Sequence, residues 1–116
     1  MKRSVRLRLH DVLKNIDGIE HAVSGKTFED FRSDWLLRHG IERGMEIISE
    51  ASKHIPENLP QTQPELSWRG IIGIGNILRH DYENVSEKII WNAIGSDLPP
   101  LRKAIVAMLA TLKEDD

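Results

Sequence analysis

Residues 67–101 read SWRGIIGIGNILRHDYENVSEKIIWNAIGSDLPPL, and their pattern decides the fold class. Ile71, Ile74, Ile77 and Leu78 fall at helical spacings, and no stretch shows the alternation of a strand. Gly70, Gly73 and Gly75 oppose that helix, since each costs about 1 kcal/mol against alanine in a helix interior. Packing must therefore favour it, and the expected device is a glycine face that lets another helix approach closely. A phosphate-cradling loop is the rival reading of these glycines. It fails because no strand precedes them and no Gly-Lys-Ser/Thr follows. Further on, Asn84 or Ser86 is placed to cap a helix through Ile89, Trp91 and Ile94, with Gly95 ending it. Asp97-Leu98-Pro99-Pro100 opens one more helix, because proline is tolerated in a first turn.

The same periodicity runs through the rest of the chain. Leu9, Val12, Leu13, Ile16, Ile19 and Val23 form one stripe on a helix predicted from about Arg3 to Val23, closed by Ser24-Gly25. Thr27 and Asp30 have capping-box spacing and start a short helix carrying Phe28 and Phe31. Leu37, Ile41, Met45, Ile48, Ala51 and Ile55 place a long helix over about 34–54. Pro56, Pro60 and Pro64 mark residues 56–66 as a loop within one domain. Leu101, Ile105, Met108, Leu109 and Leu112 give the stripe of the last helix. The expectation is a single domain over residues 1–116, an all-α and mostly antiparallel bundle of four to six helices.

Composition narrows the function classes. The 116 residues contain no cysteine, which excludes disulfides, thiolate metal sites and a cysteine nucleophile. A net charge of −2 is not the basic balance of a general nucleic-acid binder, though it leaves room for a local basic cleft. No apolar run is long enough to span a membrane. The basic start MKRSVRLRLH is followed by no continuous apolar segment, so a cytoplasmic location is expected.

The five histidines are His10, His21, His39, His54 and His80. No two have the spacing that puts a pair of metal ligands on one helix face, so no metal and no cofactor is expected. Four of the five read as ordinary surface or half-buried residues. His80 differs in its company. Asn76 lies one helical turn before it, and Arg79, Asp81 and Tyr82 adjoin it. A histidine can move protons near neutral pH, and an arginine can hold a phosphate. Those are the groups that metal-free phosphodiester cleavage needs: a base for the 2′-hydroxyl and a cation for charge developing on phosphorus. Trp35, Trp68 and Trp91 read as core or interface residues, because no arginine–aromatic interleaving accompanies them.

The segment 67–101 resembles the signature region of the HepT-like toxins, small proteins of the HEPN superfamily. The resemblance extends upstream through RLHDVLKNIDGIEHAV, TFEDF and GIERGMEIISEASKHIP, and covers roughly residues 5–110. It implies an all-α, HEPN-like bundle that forms a homodimer. It implies a metal-independent endoribonuclease, the toxin of a type VII toxin–antitoxin pair, with its RNA cleft at the dimer interface. The implied partner is a nucleotidyltransferase antitoxin that silences the toxin by transferring AMP to a motif tyrosine. On this pattern His80 matches the family histidine, Tyr82 the modified tyrosine, and Asn76 the asparagine after the motif arginine. The arginine's place, five residues before His80, is held by Gly75. Arg79, one turn after Gly75 and about 40° round the helix, is the candidate substitute for the phosphate contact; Arg69, about 16 Å from His80 along the axis, is a poorer one. Catalytic roles are thus expected for His80, Arg79 and Asn76. The alternative is a weak or inactive HEPN module that binds a nucleotidyltransferase or a nucleotide. A purely structural helical dimer is a third reading.

Overall fold

The computed structural model describes residues 4–56, 58, 68–81 and 87–112, with 79–81 described by backbone alone. Those residues form α1 (Val5–Val23), α2 (Phe28–Ser33), α3 (Trp35–Lys53), α4 (Trp68–Asp81), α5 (Glu87–Ser96) and α6 (Leu98–Thr111), with no strand among them. The all-α bundle read from the periodicity is the structure found.

Local sequence sets most helix ends. Ser4 caps α1 by accepting from the Leu7 amide at 3.0 Å. After α1 the chain turns through Gly25 at φ +73°, where a side chain would be strained. The capping box is present in full: Asp30 N–H donates to Thr27 Oγ1 at 3.1 Å, and Thr27 N–H to Asp30 Oδ2 at 2.9 Å. The Thr27 backbone bond, seconded by the Thr27 side chain, holds the Asp30 carboxyl below the usual carboxylate range. Asp34 caps α3 through the Leu37 amide at 3.1 Å. The last helix opens at Leu98 with its two prolines in the first turn.

The core takes up the predicted stripes. Leu9, Val12, Ile16 and Ile19 of α1 are buried against Ile41, Met45 and Ile48 of α3 and Leu101, Ile105 and Met108 of α6. Helices α1 and α3 run antiparallel: one groove is lined by Ala22 with Leu37 at one end and Ile19 with Gly44 further along, and Asp11 lies with Glu50 beyond that. Gly44 makes this approach close. A Cβ there would stand 2.9 Å from Ile19 Cδ1 and 3.1 Å from Ile19 Cγ1. Arg102 of α6 bridges Asp17 and Glu20 of α1. Helices α2 and α5 meet through aromatics, with the Trp91 ring 5.5 Å from Phe31 and 6.3 Å from Phe28.

Several details depart from the sequence reading. Ile77 and Ile89, expected in the core, are half exposed, and Ile90 is buried in place of Ile89. Helix α5 runs one residue past Gly95 to Ser96, whose hydroxyl donates to the Asn92 carbonyl at 2.9 Å. Helix α1 begins at Val5, two residues after the expected start at Arg3, because Ser4 is its extended N-cap. The proposed caps Asn84 and Ser86 and the prolines Pro60 and Pro64 lie outside the described residues.

Candidate functional site

The site is built on α4 and the end of α3. The buried line of α4 is Ile71, Gly75 and Leu78, at spacings of four and three. Gly75, the position where the family pattern has arginine, therefore belongs to a packed stripe. Gly73 does not. Among the described residues, a Cβ at Gly73 would meet nothing within 4 Å, so no close approach is seen at that glycine. Among the described residues, the main neighbour of α4 is α3.

Two polar ties fix α4 on α3. Ser49, fully buried, donates from Oγ to the Ile72 carbonyl at 2.8 Å. One turn further on both helices, Lys53 Nζ donates to Asn76 Oδ1 at 2.7 Å. The second bond orients the Asn76 amide, with its oxygen turned toward the ammonium. Lys53 also pairs with Glu50 at 3.6 Å, and Glu50 receives His54 Nε2 at 3.3 Å. The end of α3 thus sets Lys53, itself paired with Glu50, against Asn76. A cation there also suits the negative end of the α3 dipole. Glu42, a carboxyl of α3 pushed up by burial, lies about 16 Å earlier along the helix and takes no part.

Of the sequence-predicted site residues, Asn76 is placed with its partner. The backbone continues as helix through position 81, so positions 76 and 80 share a face about 6 Å apart along the axis, and position 79 flanks them. The side chains of Arg79 and His80, and all of Tyr82, lie outside the described residues. Lys53 is the residue that sequence reasoning missed. It reads as a helix-end cation, and its partner lies 23 residues away. The only hint in the sequence is that Ser49 and Lys53 sit one turn apart, as do Ile72 and Asn76.

The remaining candidates separate from this site. His10 and His21 are exposed on α1, and His54 serves Glu50. His39 Nδ1 lies 2.8 Å from the Trp35 carbonyl, and its ring is 4.3 Å from the Trp35 ring. Trp35 is 64% exposed, so it is not a core residue. Among the described residues no group of three histidines or carboxylates is placed to hold a metal, and no helix is long and apolar enough to cross a membrane. A groove of about 570 Å³ runs between α1 and α3, floored by Gly18, Gly40 and Gly44, away from Asn76.

An all-α bundle with Asn76 and position 80 one turn apart on α4 is the arrangement that the resemblance to HEPN proteins implies. Comparison with known proteins specifies the family. The chain belongs to the HepT-like ribonuclease family, whose model, described as "Ribonuclease HepT-like", matches residues 12–108. It is 35% identical over 102 residues to a Thermococcus cleftensis protein named "Probable ribonuclease HepT", covering 88% of this chain and 93% of that protein. It is 32% identical over 107 residues to "Putative RNase TTE0752" of Caldanaerobacter subterraneus, covering 92% and 96%. A Methanocaldococcus jannaschii protein named "Putative RNase MJ0127" is 29% identical over 115 residues, 99% of this chain and 95% of that one. No solved structure matches the chain.

Proposed function

We propose that the protein is a metal-independent endoribonuclease, the toxin of a type VII toxin–antitoxin pair, acting as a homodimer with its RNA cleft where the two copies of α4 meet. The observation that carries this reading is the oriented Asn76, one turn ahead of His80 on a single helix face. Membership of a ribonuclease family supports it.

In this account the 2′-oxygen attacks the adjacent phosphorus, forming the O2′–P bond and breaking P–O5′. His80 takes the 2′-hydroxyl proton, and the partner's His80 returns a proton to the departing 5′-oxygen. An imidazole, which as a free side chain titrates at about 6.5, suits both roles at neutral pH. Asn76 orients a phosphate oxygen or the imidazole, and Arg79 neutralises the phosphorane. The products are a 2′,3′-cyclic phosphate and a free 5′-hydroxyl, and no metal ion enters.

Tyr82, the only tyrosine of the chain, is the proposed acceptor of AMP from a nucleotidyltransferase antitoxin. The added phosphodiester carries negative charge beside the cleft and repels the RNA backbone. The burial of Gly75 favours a second reading, a non-catalytic module that binds a nucleotidyltransferase or a nucleotide, because no arginine projects from that position. End-group analysis separates the two. Incubation with mixed RNA in EDTA should leave 2′,3′-cyclic phosphate ends; intact RNA in EDTA supports the binding module. Incubation with the antitoxin and ATP should add one AMP mass to Tyr82.

A further inference from the structure

The family pattern places a cation at position 75, and this chain has a buried glycine there. Helix α3 brings a different cation to the residue next to it. Lys53 Nζ lies 2.7 Å from Oδ1 of Asn76, the residue next to Gly75, and Asn76 is one turn ahead of His80. Burial of Gly75 in the packed line of α4 is consistent with this approach, since a residue without a side chain leaves room for the neighbouring helix. The Lys53 side chain retains 32% of its exposure, so solvent and ligands reach it. Among the described residues its ammonium meets Asn76 and Glu50, two partners for three N–H donors.

We infer that Lys53 is a phosphate-contacting cation supplied by α3 beside Arg79, where position 75 of α4 holds glycine. It contacts a non-bridging oxygen of the scissile phosphodiester while Asn76 holds the ammonium in register. As O2′–P forms and P–O5′ breaks, negative charge grows on that oxygen, and a fixed ammonium there stabilises the transition state more than the ground state. Glu50 keeps the lysine stem on the α4 side of α3. This assignment rests on the ribonuclease reading for its catalytic part, and its binding part stands separately.

The test compares Lys53→Gln and Lys53→Arg with wild type and His80→Ala, all as the full chain. Glutamine retains a donor for Asn76 without charge, and arginine retains the charge. Cleavage of a fluorescent RNA is followed in EDTA, and binding is followed with the same RNA made uncleavable by 2′-O-methylation. Lys53→Gln should lower kcat about 100-fold with a much smaller change in KM, the size seen when one transition-state donor is removed. Lys53→Arg should stay within about tenfold of wild type. In binding, Lys53→Gln should reduce the salt slope of the association constant by about 0.7, the loss of one single-strand phosphate contact. A Lys53→Gln variant as active as wild type, beside an inactive His80→Ala, overturns the assignment and leaves the ribonuclease standing. If wild type itself does not cleave, the ribonuclease reading fails and the salt slope decides: a reduced slope upholds Lys53 as a phosphate contact, and an unchanged one overturns it.

Discussion

The two sides of α3 are built differently. Toward α1 the buried contact is apolar, with Ile19 seated over Gly44 and Ile16, Ile41 and Ile48 buried around it. Toward α4 it is polar as well as apolar, with Ser49 on the Ile72 carbonyl and Lys53 on Asn76. Among the described residues, buried Ser52 Oγ on α3 and Trp68 Nε1 at the start of α4 have no hydrogen-bond partner. Such groups weaken a fold, since an unpaired buried polar atom costs about 1–3 kcal/mol. One side of α3 is thus packed apolar, and the other carries the polar contacts to α4.

Substitutions on the two sides should separate cleanly. The largest effect belongs to the α4 side and to activity: His80→Ala should reduce RNA cleavage by about 10²–10⁴-fold, the range for a lost general acid–base, without changing the thermal midpoint. Next comes the α1 side and stability. Gly44→Leu forces a side chain into the space of Ile19 and should cost about 2–3 kcal/mol in urea denaturation, with cleavage per folded molecule retained. A smaller contrast lies in two serines three residues apart. Ser49→Ala should lose about 1 kcal/mol with its hydrogen bond, whereas Ser52→Ala should be neutral or stabilising, since its hydroxyl has no partner to lose. The smallest effect tests the glycines of α4. Gly73→Ala should gain about 0.5–1 kcal/mol, because the site is open and alanine is the better helix former. A loss at Gly73 would place a packing partner on that outer face.

Away from both sides, the α2 cap gives a pH signature. The Asp30 carboxyl is held below its ordinary pKa by Thr27, so its contribution is present above the unfolded value near 4 and lost as the pH falls through the folded one. Asp30→Asn should remove that acid-side decline in thermal midpoint, and Thr27→Ala, which keeps the backbone N–H, should only lessen it, both leaving activity untouched.

Much of this architecture was legible in the sequence because it rests on local rules. The capping box at Thr27 and Asp30, the stripe of α1 and the proline start of α6 are each written within a few residues. The glycines of α4 were legible only as a problem. Which one is packed depends on where α3 lies, and that placed Gly75 in the buried line and left Gly73 open. The exposure of Ile77 and Ile89 escaped periodicity for the same reason, since a stripe shows an apolar face but not how wide a neighbour covers it. Asn76 and His80 were readable as a one-turn pair. Lys53 was not, because its role comes from a contact between two helices that no local pattern encodes.

The central claim is that this face of α4 cleaves RNA without metal. The most direct measurement is cleavage of a mixed RNA in EDTA by wild type and by His80→Ala, both shown to be folded by circular dichroism. The account predicts fragments ending in 2′,3′-cyclic phosphate from wild type and intact RNA from the variant. Equal cleavage by both proteins, or cleavage that appears only when magnesium is restored, would contradict it.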